Sequence, residues 1–407
     1  MPKYDILKGV RILDLSQALA GAFGSQILGD LGAEVIKFET PGVGDVLRDI
    51  VPKLQNESYY LLALNRNKKS VTLDLQTDSG KQALLELIKI SDVVYTNFRR
   101  KAQEHLGITY EQLREINPSI ITCSITGFGK GGPYENRTAF DDVCQAMSGI
   151  SSLTTDNNGT PVRGAVGSAD ISASVFAVIG VLGALYKRKE TGRGMGLEVN
   201  MFDTSMAIIP YLFQYYFIIG DPPPRMGSKH STTATFGYFK TRDGYIALGP
   251  CWPRIARVVN KEELMDDPRF KEPEQRSLHK DELNAEIEAV LSQTDTADWM
   301  NIMVAEDIPA GPVQDLRQVE ADPQTANDKM IRKISHPTCG EIKVIDCPIR
   351  IPGLAEEEHL PPPLLGQHTD EVLREVLNYS EEEIIRVKKE TEAHQEELIR
   401  TSVRRMI

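Results

Sequence analysis

Between residues 10 and 126, short runs of β-branched and aliphatic residues alternate with longer amphipathic stretches, and this alternation leaves few folds open. The spacing predicts strands over 10–15, 34–39, 70–75, 92–96 and 120–125, with helices over 20–32, 80–90 and 110–116. Strands separated by helices of that length cannot pair as hairpins; they build a parallel sheet wound on both faces, an α/β fold. Ligands of such sheets bind beyond the carboxyl ends of the strands. The loops 17–21, 40–45, 76–78, 97–101 and 127–132 are therefore candidates together.

The pattern continues with a long helix after Asp170. Its apolar stripe Val175, Ile179, Leu182 and Tyr186 recurs at helical spacing, and Lys187-Arg188-Lys189 close it with cations that the helix dipole favours. A strand over 196–201 follows. Gly220-Asp221-Pro222-Pro223-Pro224 cannot continue a helix and reads as a linker. Beyond it, 236–240 and 245–249 form a predicted hairpin joined by Thr241-Arg242-Asp243-Gly244, with helices over 269–291 and 296–306. This region, roughly 225–325, reads as a smaller α+β domain. A strand over 341–348 and a charged helical tail over 380–405, expected to be solvated or to contact a partner, complete the chain.

At 407 residues, two domains are the ordinary expectation. The net charge of −12, from 58 acidic and 46 basic residues, argues against a nucleic-acid surface, which needs a basic stripe. The first residues, MPKYDILKGV, lack an apolar leader, and the longest apolar run (175–186) is shorter than the ~20 residues of a membrane span. Five scattered cysteines without a CxxC spacing fit reduced thiols and a cytoplasmic setting. Seven histidines show neither HxH nor HxxxH spacing, so no metal site is expected. The GxSxG elbow of serine hydrolases is absent.

Three features bear on chemistry. The first βα turn is ALAGAFG rather than GxGxxG, so Gly21 and Gly24 read as close helix-to-strand packing and not as a dinucleotide fingerprint. Glu39, at the end of the second strand, reads as a solvated strand end. Two basic clusters, Arg66/Lys68/Lys69 and Arg99/Arg100/Lys101, border strands and suggest a polyphosphate ligand in an acidic protein, although either alone also suits a solvated face. In GSADISASVFAVIG (167–180), Asp170 precedes an apolar run. It suits a helix N-cap. It equally suits a reactive carboxylate kept ionised by the helix N-terminus and able to attack an activated acyl group. Local chemistry leaves both readings open.

Several stretches together resemble the family III CoA-transferases, the group containing the formyl-CoA:oxalate and crotonobetainyl-CoA:carnitine enzymes. They are GVRILDLSQALAGAFGSQILGDLGAEVIKFE (9–39), NRNKKSVTLDLQTDSGK (65–81), SDVVYTNFRRKAQEHLGI (91–108), NPSIITCSITGFGKGGP (117–133), GSADISAS (167–174) and PPLLGQHTDEVL (362–373). The resemblance implies a catalytic Asp at Asp170 that exchanges acyl groups through an aspartyl anhydride and an aspartyl-CoA thioester. Coenzyme A and acyl-CoA are then substrates, with no permanently bound cofactor and no metal. It places CoA contacts at Gln17, Ala18, Leu19 and Ala20, at Leu73, Asp74, Leu75 and Gln76, and at Asn97, Phe98 and Arg99. His105, which stands where members usually carry Arg, and Arg137 extend the set. Asp141 falls where formyl-CoA transferase has a Glu beside its catalytic Asp.

The resemblance also implies a Rossmann-like large domain split in sequence (1–200 and 346–407), linkers over 201–225 and 326–345, and a small domain over 226–325. Two such chains interlock as a homodimer; neither a membrane nor a nucleic acid is an expected partner. The glycine-rich loop of formyl-CoA transferase has no counterpart; 227–239 reads GSKHSTTATFGYF, closer to the carnitine-type subgroup. α-Methylacyl-CoA racemase shares the fold and pairs an Asp with a His for proton transfer, but that His falls at Phe140, which moves no proton. A CoA-binding protein without turnover is the third reading.

Overall fold

The computed structural model describes residues 4–156, 158–354 and 358–406, with side chains described to residue 396. It divides into two compact units: 1–148 with 165–208 and 328–407, and 149–164 with 209–327.

The first unit is built on a six-stranded sheet of β1 (Arg11–Asp14), β2 (Glu34–Glu39), β3 (Lys68–Thr72), β4 (Val93–Thr96), β5 (Ile121–Thr126) and β6 (Gly196–Asn200). The spatial order is β3-β2-β1-β4-β5-β6 and every neighbouring pair is parallel. The order reverses between β1 and β4, where a doubly wound sheet opens a crevice. The central strands are buried on both faces, which explains the unbroken apolar runs such as VVYT.

Helices follow the strands on both faces of this sheet. α1 (Ala18–Asp30) follows β1, and α2 (Asp78–Lys89), capped by the Thr77 hydroxyl on the Gly80 N–H, follows β3. The glycines of α1 are spacing residues as expected. A Cβ at Gly24 would lie 2.1 Å from Tyr95 Oη, and one at Gly21 would lie 2.2 Å from Ser16 Cβ. α3 (Arg100–Leu106) opens after β4, α4 (Asp141–Met147) lies beyond β5, and α5 (Ser168–Thr191) packs beside α1, tied by Ser174 Oγ donating to the Ala20 carbonyl at 2.6 Å.

α5 reverses the expected stripe. Its buried face is Ala169, Ala173, Ala177, Val181 and Ala184, whereas Val175, Ile179 and Tyr186 are exposed, Tyr186 by 70%. Small side chains let α5 approach α1 closely, so the large residues turn outward. The helix is long and apolar enough to cross a membrane by length and composition, but half of its apolar window is buried within the protein.

The C-terminal helix α6 (Glu381–Met406) is not wholly solvated. Ile384 and Val387 join the core that includes Leu84 and Leu87 of α2. The expected charged face beyond residue 396 lies outside the described side chains. The hairpin β10 (Ile331–His336) and β11 (Gly340–Ile345) sits where a linker was expected. Its Ile334, Ile342 and Val344 pack on Leu62, which joins it to the first unit.

The second unit contains a three-stranded antiparallel sheet of β7 (Gly237–Lys240), β8 (Tyr245–Leu248) and β9 (Ala310–Pro312), ordered β9-β8-β7. Phe239, Ile246 and Leu248 form a core with Leu283, Ile287 and Trp299. Residues 149–164 also belong here, because the Met226 N–H bonds the Leu153 carbonyl at 2.9 Å. The sequence had placed them in the large domain. The expected helix over 269–291 is two helices, Pro273–Leu278 and Lys280–Leu291, parted at His279.

Candidate active site

A cavity of about 640 Å³ opens at the carboxyl ends of β1, β4 and β5, all within the first unit. Gln17, Ala18 and Ala20 reach it from the β1–α1 turn, Asn97, Phe98 and Arg99 from the end of β4, and Arg137 and Phe140 from the segment before α4. It continues over the outer strands through Thr122, Ser124 and Glu198. Three of the five loops expected from a parallel sheet, 17–21, 97–101 and 127–132, reach this wall, and the loop over 40–45 does not. The turn over 76–78 contributes nothing to it.

Asp170 faces the cavity from the first turn of α5. It is not the N-cap that the sequence suggested: Gly167 occupies that position with no side-chain bond, and Asp170 is the third residue of the helix. The cap is supplied from elsewhere in the chain. Buried Asp141 accepts the N–H groups of Ala169 at 2.9 Å and Asp170 at 3.2 Å through Oδ1, and Gln145 Nε2 donates to its Oδ2 at 2.5 Å. Asp141 itself does not line the cavity.

This arrangement overturns the expectation that the helix terminus keeps Asp170 strongly acidic. Burial pushes its pKa up to about 7, and the negative charges of Asp141 and Asp142 add to the rise. A carboxylate poised near neutrality, in a cleft, is a candidate functional group.

The β1–α1 turn is held by side chains. Gln17 donates its N–H to Asn97 Oδ1 at 2.9 Å, and Asn97 Nδ2 donates back to the Gln17 carbonyl at 2.6 Å. These bonds join the two loops at the point where strand order reverses. Arg99 donates to Thr138 Oγ1 at 2.7 Å, and the Arg137 guanidinium lies over Tyr134 and Phe128, 4.6 and 5.7 Å from the ring centroids. Among the described residues neither arginine forms an ion pair, so both are open to an anion. Arg100, by contrast, is engaged by Glu104 and Glu111.

The other basic cluster does not face a ligand. Arg66 grips buried Asp30, Lys68 is fully buried beside Asp14 at 3.5 Å, and Lys69 pairs with Glu34 and Glu371. Glu39 is likewise no solvated strand end; it is buried and takes Arg48 Nε and Nη2 at 2.7 Å each.

The remaining residues singled out from the sequence lie off the cavity wall. Leu19 packs in a small cluster with Ala22 and Leu47. Leu73 is in the core and Leu75 packs against it. Asp74 accepts from Gln76 N–H at 3.0 Å, and its Oδ2 meets His394 Nδ1 at 2.6 Å and Gln395 Nε2 at 3.1 Å, both on α6. His105 is exposed in the last turn of α3. Sequence reading missed the platform under Arg137 and the Gln145 support of Asp141. The aromatic residues three and nine positions before Arg137, and the i,i+4 pair Asp141/Gln145, were the available signals.

Among the described residues no group of three or more His, Cys, Asp or Glu side chains is arranged to hold a metal ion. Among the described residues no histidine lines the cavity, and Phe140, 69% exposed, stands beside Asp141 at its edge.

The sequence profile described as CoA-transferase family III matches residues 7–369. The succinyl-CoA:glutarate CoA-transferase of Mus musculus is 36% identical over 380 residues, which cover 92% of this chain and 87% of that protein. The acetyl-CoA:oxalate CoA-transferase of Acetobacter aceti is 34% identical over 358 residues, covering 87% and 91%. The crystal structure of a CAIB/BAIF family protein from Brucella suis superposes with a TM-score of 0.80 at 31% identity, covering 91% of this chain and 99% of that one. With a matched profile over most of its length, relatives above 30% identity and the same parallel sheet, the chain belongs to CoA-transferase family III.

Proposed function

We propose that this chain moves CoA from an acyl-CoA thioester to a free carboxylic acid, with Asp170 as the nucleophile. The observation that carries the reading is the carboxylate of Asp170, half-buried and raised to about 7, at the wall of a cavity that two arginines without ion-pair partners share. An Asp170 oxygen adds to the thioester carbonyl carbon and the C–S bond breaks, giving an anhydride and CoA thiolate. The thiolate attacks the aspartyl carbonyl, releases the donor acid as its carboxylate and leaves Asp170 as a CoA thioester. The acceptor carboxylate repeats the sequence in reverse. No net proton is consumed, and the anhydride survives only where water is excluded.

Arg99 and Arg137 are placed to meet the phosphates of CoA, with Gln17, Ala18, Ala20, Asn97 and Phe98 around the rest of the ligand. Leu19, Leu73, Asp74, Leu75, Gln76 and His105 would meet CoA only if it extends beyond the cavity. The names of the two relatives above, for succinate with glutarate and for oxalate, support a short dicarboxylic acid as acceptor.

The chain is proposed to work as a homodimer. The exposed face of α5 (Val175, Phe176, Ile179, Tyr186) supports this. So does the helix Pro210–Ile219 in the second unit, which leaves Tyr211, Phe217, Ile218 and Ile219 exposed.

The test is a screen of acyl-CoA donors against mono- and dicarboxylic acids, with wild type and Asp170→Ala compared. Transfer by wild type, a hydroxylamine-sensitive acyl adduct and their loss in D170A are expected. Equal turnover by D170A would refute the assignment. Exchange of an α-proton in D₂O without transfer would favour racemisation.

A further inference from the structure

The turn that forms one wall of the cavity is gripped from beneath by buried charges that lie off the cavity wall. The Ser16 carbonyl accepts from Lys37 Nζ at 2.9 Å, and the Ala18 N–H donates to Asp45 Oδ1 at 3.1 Å. Lys37 and Asp45 are themselves joined, Nζ to Oδ2, at 2.8 Å, and both side chains are fully buried. Asp45 Oδ1 also accepts the N–H of Leu47 at 3.0 Å, at the start of the turn that carries Val46 into the same cavity. One carboxylate therefore ties two separate parts of the cavity wall together.

Ala18 needs such a grip. Its φ of 58° lies in the left-handed region, which is strained for a residue with a Cβ. Such conformations persist only where the surroundings over-determine them, and they gather at functional sites. With the Ser16 carbonyl held by Lys37 and Gln17 held on both sides by Asn97, the Ala18 N–H is the point at which the turn is fixed as α1 begins.

We infer that Asp45, backed by Lys37, is a positioning residue: it holds Ala18 in the left-handed conformation and so sets the wall against which Asp170 exchanges its acyl group. The inference rests on the transferase reading for its consequence in catalysis, but not for the clamp itself. Four proteins test both: wild type, Asp45→Ala, Ala18→Gly and the double variant. Glycine adopts positive φ without strain, so A18G removes what Asp45 has to enforce. D45A is expected to lower kcat by about tenfold or more, with a smaller change in KM, because misplacement near a reacting group is costly. In the A18G background the same change should cost several-fold less. Melting midpoints should show the same coupling, and they read out whether or not the enzyme finds a substrate.

Where D45A does not fold, Asp45→Asn, which keeps an oxygen for the Ala18 N–H, is used in the same cycle. It loses the charge that Lys37 backs and so weakens the grip without removing it, and its loss in kcat should shrink in A18G. Equal losses in both backgrounds, in kcat and in melting, would overturn the clamp. A clamp visible in melting beside a wild type that transfers no CoA would leave the clamp standing and sink the transferase reading instead.

Discussion

Asp141 Oδ1 accepts the backbone N–H of Asp170 at 3.2 Å, so one carboxylate is oriented by another. The contact does two opposed things. It satisfies N–H groups that open α5, which a neutral first turn would leave to water. It also brings a negative charge to the group that burial already discourages from ionising. Asp170 is held in place at the cost of being only part ionised near neutral pH.

Asp141→Asn separates these effects. An amide oxygen can still accept the two N–H groups, while the negative charge is gone. The pH midpoint of kcat/KM should move to lower pH yet stay above the ordinary carboxylate range, because burial is the larger cause of the rise. On the proposed mechanism the wild-type rate should fall about tenfold per pH unit below about 7, as the Asp170 anion is titrated away. A pH–rate profile of the two proteins decides it; an unmoved midpoint would show that Asp141 acts through geometry alone.

The same raised pKa makes a prediction about stability. The folded protein binds the Asp170 proton more tightly than the unfolded chain, whose carboxyl keeps its value near 3.8. Protonated Asp170 is thus favoured by the fold, and that contribution is lost as pH rises from about 4 through about 7. At 1.36 kcal/mol per unit the loss is on the order of 4 kcal/mol. Asp170→Asn, which is inactive on the proposed mechanism, should therefore be more stable than wild type at pH 8 and show little gain at pH 4. Denaturant melts at the two pH values measure it.

The two arginine clusters should behave oppositely. Arg99→Ala or Arg137→Ala removes a cation that faces the cavity, and should raise KM for acyl-CoA about ten- to a hundredfold with little change in melting temperature. Arg66→Ala removes the guanidinium paired with buried Asp30, leaving it the Asn67 amide, and should destabilise the fold by about 3 kcal/mol while leaving KM alone. Steady-state kinetics beside thermal melts separates the two.

That contrast also shows what a sequence can and cannot carry. The periodicities of 34–39 and 110–116 match the observed elements because a strand or helix is specified by neighbours in the chain. Whether Lys68 meets a phosphate or Asp14 is decided by residues far away, and both clusters look alike on the page. The stripe Val175/Ile179/Tyr186 misled for a related reason. A helical pattern identifies an apolar face, but the close packing of α1 gave the core to the alanines, leaving the larger side chains outward. Asp170 was legible as a residue but its cap was not, since Asp141 lies 29 positions away.

The close approach of α1 to the sheet is itself testable through Gly24 and Tyr95. A Cβ at position 24 would sit 2.1 Å from Tyr95 Oη and 3.1 Å from Cζ, with the Ser174 carbonyl of α5 at 3.2 Å. Gly24→Ala should thus force α1 away from β4 and cost about 1–3 kcal/mol, as overpacking does. The phenol that blocks it is fully buried, and its hydroxyl finds no hydrogen-bond partner among the described residues. Tyr95→Phe removes that hydroxyl and its desolvation cost together, so alone it should be neutral or mildly stabilising. In the double variant the nearest atom becomes the ring carbon, and part of the loss from G24A should return. A double-mutant cycle read by denaturant melts would show this as a favourable coupling. Strict additivity would mean that the helix is held off by the Ser174 carbonyl and not by Tyr95.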